Sequence, residues 1–310
     1  MVLRIGTDCS GIEAPIQALQ QLKIPFEHSF CCEKDPYALQ SIQANYTPEK
    51  IYTDITKRKH GLLPDIDMYI CGFPCQPFSL MGNKMGTEDC RSNIMYQCIK
   101  VIKKKLPKVF ILENVKNFKF IQKGEPFDYL VKQLKNVKDA NGNLAYNVYH
   151  DILNTKDYGI PQNRERIFFI GIRKDIQIQE YTTPDKKEMR KLDDFIIDKT
   201  ICNNPIISKS LDKNLKKIND TKNYIVTPFT FSSVMGNLSP TITTQCHCYY
   251  YTKYKRNLLP KECLLLQGFP SNFNQVVSNK QLYRQAGNSM SVNVLKSLFE
   301  KIYSITNLNT

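Results

Sequence analysis

The chain contains 310 residues, carries a formal net charge of +14 and has a sequence pI of about 9.2. This length allows one large domain or two modest domains with a proper hydrophobic core, and no run of 18 apolar residues is present that could cross a membrane. The positive charge is typical of a protein with a polyanionic partner, although charge alone does not separate DNA from RNA.

The first predicted element is a strand over residues 3–7, which leads through a turn containing Gly11 into a helix. The helix has one apolar face, formed by Ile16, Leu19 and Leu22. A glycine turn between a first strand and a helix is typical of the nucleotide-binding loop of doubly wound sheets. A single glycine is weak evidence for such a loop by itself.

The second predicted strand, residues 28–33, ends in Glu33. A carboxylate at the end of the second strand can accept hydrogen bonds from both ribose hydroxyls of an adenosine. By itself, such an acid more commonly caps a helix, here the one that follows Asp35. Asp54 and Ile55 close a third segment, where an isolated acid indicates an ordinary surface turn.

A short apolar run over residues 68–71 predicts a buried strand, and the stretch GFPCQPFS (residues 72–79) follows it. Each proline fixes its own φ, removes an N–H donor and favours extended geometry in the residue before it. The strand therefore ends in a stiff loop that holds the thiol of Cys75. A cysteine that attacks a substrate at a fixed angle needs such a loop. The alternative is a proline-rich turn with an incidental cysteine.

Residues 79–91 have little apolar periodicity, and we predict a mobile loop there. The pattern of residues 93–105 predicts a helix, and a buried strand over residues 109–112 ends at Glu113. A further amphipathic helix is predicted over residues 127–137.

Strands are predicted over residues 146–153 and 167–172, and the short link between them favours antiparallel neighbours. If the first of these strands runs parallel to the others, the second begins on the rim where the other strands end. Arg164 and Arg166, in the stretch QNRER (162–166), would then lie on that rim.

The character of the sequence changes from about residue 175 to 224, where charged residues alternate with short apolar pieces. This pattern predicts a separate small domain or a long insertion. After it, a helix continues through residues 264–267 and ends at Gly268. A final helix region is predicted over residues 283–303.

Four stretches in this order make the chain resemble the DNA (cytosine-5)-methyltransferase family: GFPCQPFS (72–79), ENV (113–115), QNRER (162–166) and QAGNS (285–289). The resemblance covers nearly the whole chain except about residues 182–237. It implies an α/β fold, namely the Rossmann-like sheet of S-adenosylmethionine-dependent methyltransferases with a small target recognition domain inserted before the C-terminal helix.

The resemblance also implies a domain organisation. The catalytic domain, which binds S-adenosylmethionine, would comprise residues 1–181 and 281–310, the target recognition domain residues 182–245, and a hinge or return segment residues 246–280. We expect a monomer that methylates carbon 5 of cytosine in double-stranded DNA, as restriction–modification enzymes do, with no membrane partner. It would lie in a prokaryotic cytoplasm, or in the nucleus or at the DNA of a eukaryote or virus, and would not be secreted.

By the same resemblance, Cys75 is the nucleophile that adds to carbon 6 of the cytosine ring. Glu113 would protonate or hydrogen-bond ring N3, a task for which a raised pKa in an apolar pocket is suited. Arg166 would hold the pyrimidine oxygen, and Arg164 would position Glu113 or a phosphate.

The implied cofactor-binding residues come from five stretches, namely Cys9, Gly11, Ile12, Glu33, Lys34, Asp54, Ile55, Pro74, Asn288, Ser289 and Val292. Glu33 would hold the ribose of S-adenosylmethionine, and Asp54 would contact the adenine amino group. The family usually has phenylalanine where this chain has Cys9 and glycine where it has Glu13. The aromatic face that would lie against the adenine is therefore missing.

Two other functions remain open. One branch of the family performs the same chemistry on tRNA, but it usually has threonine where this chain has Ser79. The other alternative is a non-catalytic DNA-binding or regulatory protein, for which the changes at Cys9 and Glu13 are the only support. The 11 cysteines include no C-x-x-C pair and predict reduced thiols, and the spacing of Cys246, His247 and Cys248 is poor for zinc, so we expect no metal site.

Overall fold

The structure is a computed structural model that describes residues 2–74, 94–229 and 234–308. The chain divides into two compact units. The first unit comprises Met1–Leu153, Glu165–Pro184 and Leu295–Thr310. The second comprises Asn154–Arg164 and Asp185–Val294. In the part of the chain that is described, no helix is both long enough and apolar enough to span a bilayer.

A seven-stranded sheet forms the centre of the first unit, with the strand order β3-β2-β1-β4-β5-β7-β6. Its strands are β1 (Leu3–Asp8), β2 (Phe26–Cys32), β3 (Ile51–Tyr52), β4 (Met68–Gly72), β5 (Val109–Val115), β6 (Tyr146–Asn154) and β7 (Glu165–Arg173). The pairs from β3 to β5 are parallel, and β7 is antiparallel to β5. This parallel-dominated α/β sheet confirms the predicted fold class.

The expected hairpin between the last two strands is also present. Lys174 N donates to Ala145 O at one end of the pair, and Thr155 N donates to Arg164 O at the other. The end of β7 therefore lies beside the start of β6, and the start of β7 lies beside the end of β6, so the two strands are antiparallel. Since β7 is antiparallel to β5, β6 runs in the direction of the parallel strands, and β7 begins on the rim where they end.

Helices connect the parallel strands: α1 (Ala14–Gln21), α2 (Pro36–Asn45), α3 (Ile94–Lys105) and α4 (Glu125–Lys135). Proline in the first turn supplies the helical φ at the start of α1, α2 and α4. Asp35 caps α2 by accepting a hydrogen bond from Tyr37 N at 2.9 Å. The capping role that an acid in this region could play therefore belongs to Asp35, and Glu33 is left for other contacts.

The core of the first unit lies between the sheet and its helices and is rich in aromatic side chains. Phe30, Tyr69, Phe110, Phe118 and Phe169 are all fully buried within one continuous cluster. The Phe110 ring fills the space opposite Gly171, its partner on β7, where an added Cβ would lie 2.0 Å from the ring. This close packing fixes the register between β5 and β7.

The second unit contains a three-stranded antiparallel sheet and several helices. These elements are α5 (Lys209–Leu215), β8 (Ile225–Val226), β9 (Tyr250–Tyr251), β10 (Arg256–Asn257), α6 (Pro260–Leu266) and α7 (Asn279–Asn288). Leu211, Val226 and Tyr250 form a small core of their own. The last helix, α8 (Val292–Ser304), crosses from the second unit into the first.

One predicted helix region is divided, and one predicted strand end was wrong. The final helix region predicted over residues 283–303 consists of two helices, because the chain is extended at Ser289, which caps α7 at φ −72° and ψ 152°. The strand predicted to end at Glu113 continues to Val115, where it still pairs with Arg166. Apolar periodicity ends at the first polar side chain, whereas backbone pairing continues beyond it.

Candidate active site

An ion pair between Glu113 and Arg166 lies on the two neighbouring strands β5 and β7. Arg166 Nε is 3.3 Å from Glu113 Oε1, and the two side chains are only 17% and 12% exposed. Val115 pairs directly with Arg166, and Glu113 lies two residues earlier on β5, so both side chains are on the same face of the sheet. The structure therefore brings together two of the four predicted catalytic residues.

Strand β4 brings the proline–cysteine stretch towards the same place. Gly72, the last residue of β4, pairs with Glu113 in the parallel register. Asn114 Nδ2 donates to Phe73 O at 2.9 Å, and the Phe73 ring packs edge-to-face on Phe118 with centroids 5.3 Å apart. The chain is thus held firmly up to the exposed Pro74. Cys75 itself lies outside the described residues, as do Ser79 and the predicted loop over residues 79–91.

The turn after β1 has an unusual backbone, because three alternate residues are left-handed. The φ angles are 50° at Cys9, 66° at Gly11 and 62° at Glu13. Only glycine adopts this region without strain, and each of the other two costs about 1–2 kcal/mol. Strain of this kind persists where surrounding contacts hold the backbone, and it is concentrated at ligand sites. We call residues 9–13 the donor turn, because the N–H of Gly11 within it donates a hydrogen bond to Glu33.

Glu33 connects the donor turn to the end of β2. Its carboxylate accepts hydrogen bonds from Gly11 N at 3.1 Å, Lys34 N at 2.8 Å and Asp35 N at 3.0 Å. Burial raises the pKa of Glu33, and these three backbone donors oppose that rise. A half-buried carboxylate oriented by three N–H groups can still accept further hydrogen bonds from a ligand.

The remaining predicted cofactor residues of the first unit differ in exposure. Ile12 and Ile55 are buried, while Asp54 is more exposed and accepts hydrogen bonds from Thr56 N at 2.9 Å and Thr56 Oγ1 at 2.6 Å. These bonds lower the pKa of Asp54 and keep it ionised. Lys34 is exposed at the start of the α2 region.

A buried cation next to the donor turn was not foreseen from the sequence. Arg58 forms an ion pair with Asp8 at the end of β1, and Tyr69 Oη donates to the same carboxylate at 2.6 Å. The guanidinium also lies 5.1 Å from the Phe30 ring centroid and 5.2 Å from that of Tyr52. Because 50 residues separate Arg58 from Asp8, no local pattern could have indicated this pair.

In the second unit, the Arg164 guanidinium binds backbone carbonyls. It donates to Ile242 O at 2.8 Å, Ser289 O at 2.6 Å and Gly287 O at 3.3 Å. Gln162, two residues earlier, accepts from Ile242 N at 2.9 Å. The first half of the QNRER stretch therefore fixes the chain around residues 242 and 287–289.

Arg164 thereby holds the segment that contains the other predicted cofactor residues. Asn288 is exposed at the end of α7, whereas Ser289 and Val292 are fully buried. Val292 N donates to Gln267 O at 2.9 Å, and an added Cβ on Gly268 would lie 2.9 Å from Val292 Cβ. Of these three side chains, Asn288 is the one available to a ligand within the second unit.

Comparison with known proteins gives a family match along most of the chain. The model of the family described as C-5 cytosine-specific DNA methylase matches residues 8–304. Type II methyltransferase M1.ScrFI of Lactococcus lactis subsp. cremoris is 32% identical over 89% of this chain and 72% of its own length. Type II methyltransferase M.HaeII of Haemophilus aegyptius is 32% identical over 91% of this chain and 87% of its own length.

Solved structures share the fold at low identity. A mutant of DNMT2 from Spodoptera frugiperda superposes with a TM-score of 0.74 at 18% identity, over 97% of this chain and 99% of that one. A putative DNA modification methyltransferase encoded within an E. coli prophage gives a TM-score of 0.69 at 21% identity, over 99% of this chain and 100% of the other.

Proposed function

The chain belongs to the C-5 cytosine-specific DNA methylases, and we propose that it transfers the methyl group of S-adenosylmethionine to carbon 5 of cytosine in double-stranded DNA, with Cys75 as nucleophile. The observation that supports this most directly is the Glu113–Arg166 pair beside Gly72, three residues before Cys75. The names of the Type II relatives support an action on DNA.

The residues around the donor turn fit S-adenosylmethionine. Glu33 presents an oriented carboxylate at the end of β2, where ribose hydroxyls are bound in doubly wound sheets. Asp54 would accept from the adenine amino group, and the motif match also assigns Asn288 to cofactor binding. When bound, S-adenosylmethionine supplies an electrophilic methyl group.

Cys75 would activate the cytosine by covalent addition. Carbon 5 is a poor nucleophile, and attack of the Cys75 thiolate at carbon 6 forms a C–S bond and makes carbon 5 enamine-like. After carbon 5 has acquired the methyl group, loss of its proton to a base expels the Cys75 thiolate and restores the aromatic ring.

Glu113 and Arg166 would recognise and polarise the cytosine ring. A protonated Glu113 donates to ring N3, which withdraws electrons from carbon 6 and favours thiolate addition. Arg166 would hold both Glu113 and the pyrimidine oxygen, since its guanidinium has several donors in a fixed fork. Because the buried Arg164 donates to the carbonyls of Gly287 and Ser289, we propose that it holds the segment around Asn288.

The target base must leave the duplex before these groups can reach it. We propose that the segment of residues 182–245 selects the DNA sequence, as a target recognition domain does. The Type II names of the relatives support a place in a restriction–modification system, in which methylation protects a specific site.

Bisulfite sequencing of DNA from an expressing host tests the proposal. We expect methylated cytosine at one short sequence with the wild type and none with Cys75→Ser. Glu113→Gln should reduce the methylated fraction strongly, because loss of a general acid slows a reaction by about 10²–10⁴-fold. Unmethylated DNA together with methylated tRNA from the same cells would instead support the tRNA alternative.

A further inference from the structure

The donor turn contains a buried glutamate at a backbone position that favours glycine. Glu13 precedes α1 with φ 62° and ψ 48°, and its side chain is completely buried. A left-handed glutamate is strained relative to glycine, and burial of a carboxyl group without partners is costly. The side chain must therefore make contacts that offset both costs.

One carboxyl oxygen of Glu13 joins the donor turn to β1. Glu13 Oε1 accepts from Ser10 Oγ at 2.6 Å and from Thr7 Oγ1 at 2.8 Å, and all three residues are buried. Glu13 N also lies 3.3 Å from Ser10 O, so that side chain and backbone close the same turn. The two hydroxyl donors belong to Thr7, near the end of β1, and to Ser10, the residue directly before Gly11.

His28 on β2 completes this network as a neutral side chain. Burial lowers its pKa to about 4, and its Nε2 lies 3.1 Å from Thr7 Oγ1 and 3.9 Å from Glu13 Oε2. Thr7 has a single hydroxyl proton, which Glu13 Oε1 receives. His28 Nε2–H is then the donor to Thr7 Oγ1, and the hydrogen bonds run in one direction from His28 to Glu13.

We propose that Glu13 is a positioning residue for the methyl donor: it acts as a hydrogen-bond acceptor that holds Ser10 against β1, so that the Gly11 N–H stays directed at Glu33. This role rests on the proposed function, in which Glu33 holds the ribose of S-adenosylmethionine. Cys9 N donates to Cys32 O at 2.9 Å and Gly11 N donates to Glu33 at 3.1 Å. The third attachment of the same turn is Glu13, which accepts from Thr7 on β1 and from Ser10.

Glu13 acts in its neutral form. Burial raises its pKa to about 8, and the carboxylates of Glu33 and Asp8 contribute to the rise. Its other titratable neighbours are His28, Tyr46 and Cys31, which burial keeps uncharged near neutral pH. Above pH 8, Glu13 becomes a buried anion close to the carboxylates of Asp8 and Glu33. The buried cation Arg58 is already paired with Asp8. The donor turn should then lose its geometry.

Calorimetric titration of the full chain with S-adenosylmethionine at pH 7 and pH 9 tests this role. At pH 7, Glu13→Gln should bind within about threefold of the wild type, because the amide oxygen can still accept from Thr7 and Ser10. Glu13→Gly and Ser10→Ala should each bind about tenfold more weakly, the size of one net hydrogen bond. The glycine variant relieves the backbone strain while it deletes the buried carboxyl group, and Ser10→Ala removes one donor to that group and leaves Glu13 in place.

The pH series separates positioning from a general structural role. Between pH 7 and pH 9, the wild type should lose affinity about tenfold more than Glu13→Gln, which cannot ionise, and the exposed-site control Glu49→Gln should behave like the wild type. In methyl-transfer assays, Glu13→Gly should raise the KM for S-adenosylmethionine and keep kcat within about threefold, because its effect is confined to cofactor binding.

Two results would overturn the positioning role. One is wild-type affinity in Glu13→Gly, and the other is a parallel loss of affinity by the wild type and Glu13→Gln at pH 9. Both leave the proposed cofactor in place. If the wild type itself failed to bind S-adenosylmethionine at either pH, the cofactor assignment and the positioning role would both be wrong.

Discussion

The carboxylate of Glu33 is the most constrained of the predicted cofactor residues in the first unit. Three backbone N–H groups orient it, and one of them belongs to Gly11 in the donor turn. A ligand hydroxyl that binds this carboxylate gains a charge-assisted hydrogen bond.

Glu33→Ala should weaken the binding of S-adenosylmethionine by roughly 1–3 kcal/mol, the scale of losing a buried acceptor. Calorimetry at pH 7 measures the change, with the exposed Glu49→Ala as a control in the same unit. Equal affinities for Glu33→Ala and the wild type would remove Glu33 from the cofactor site.

Residues within local motifs could be predicted from the sequence, and residues that act through distant contacts could not. The pairing of Glu113 with Arg166 agrees with the expectation that both serve one site, because each lies in a recognisable stretch at a strand end. Arg58 owes its position to Asp8, 50 residues away, which no periodic pattern encodes. Glu13 is bound by the nearby hydroxyls of Ser10 and Thr7, and this contact depends on the left-handed backbone of the turn rather than on a pattern. A signal for Glu13 was present: it is a charged residue where the family usually has glycine.

Asn114 shows an intermediate case. The ENV stretch was recognised from the sequence, but no role was assigned to its central residue. Its amide binds Phe73 O, so it fixes the chain two residues before Cys75. The sequence did contain one signal for this role, because Asn114 is a polar residue directly after the strand-end acid Glu113.

At the scale of elements, Glu262 on α6 organises the second unit. Its fully buried carboxylate accepts from the backbone N–H groups of Ile197, Asp198 and Leu259 at 2.9, 3.2 and 2.7 Å. It also accepts from Arg256 Nη1 at 3.0 Å and Nη2 at 2.7 Å. One side chain thus fixes β10, the start of α6 and the loop at residues 197–198.

Glu262→Ala should destabilise the second unit by about 3–5 kcal/mol, because it removes the nearer carboxylate partner of the largely buried Arg256 and leaves only Asp198, 3.8 Å from Arg256 Nε. Urea unfolding measures the loss, and Glu180→Ala, at an exposed position, serves as control. A change below about 1 kcal/mol, the size expected of a surface pair, would contradict the organising role of Glu262.

Most strands and helices of the first unit could be predicted because apolar periodicity reports directly on burial. The break between α7 and α8 could not, since residues on both sides of Ser289 continue an apolar face. Its cause is a tertiary contact: Arg164 binds the carbonyls of Gly287 and Ser289 and fixes the chain between the two helices. Short strands such as β8 and β9 contain too few residues for a period to be detected.

At the scale of the whole molecule, the Rossmann-like sheet was implied by the resemblance to the methyltransferase family rather than by periodicity. Patterns of apolar residues locate strands but do not say which strands are neighbours. The antiparallel last pair is the exception, because a short link between two strands restricts their arrangement. The predicted boundaries of the catalytic and target recognition domains stay a prediction. The structure contains two compact units.

Exchange of residues 182–245 for the matching segment of a related methyltransferase should transfer the methylated DNA sequence. Base reading needs a surface shaped to a groove, which phosphate contacts cannot supply. Bisulfite sequencing of host DNA identifies the site. An active chimera that still methylates the original sequence would place specificity elsewhere, most directly in the loop over residues 79–91.

We propose a cytosine methyltransferase that works through a covalent bond to Cys75. Incubation with S-adenosylmethionine and a duplex carrying 5-fluorocytosine at the target position tests it most directly, since fluorine at carbon 5 prevents the final proton loss. We expect a denaturant-stable protein–DNA complex with the wild type and none with Cys75→Ser, which should still bind S-adenosylmethionine. Methylation of the unmodified duplex without any such complex, or normal turnover by Cys75→Ser, would contradict it.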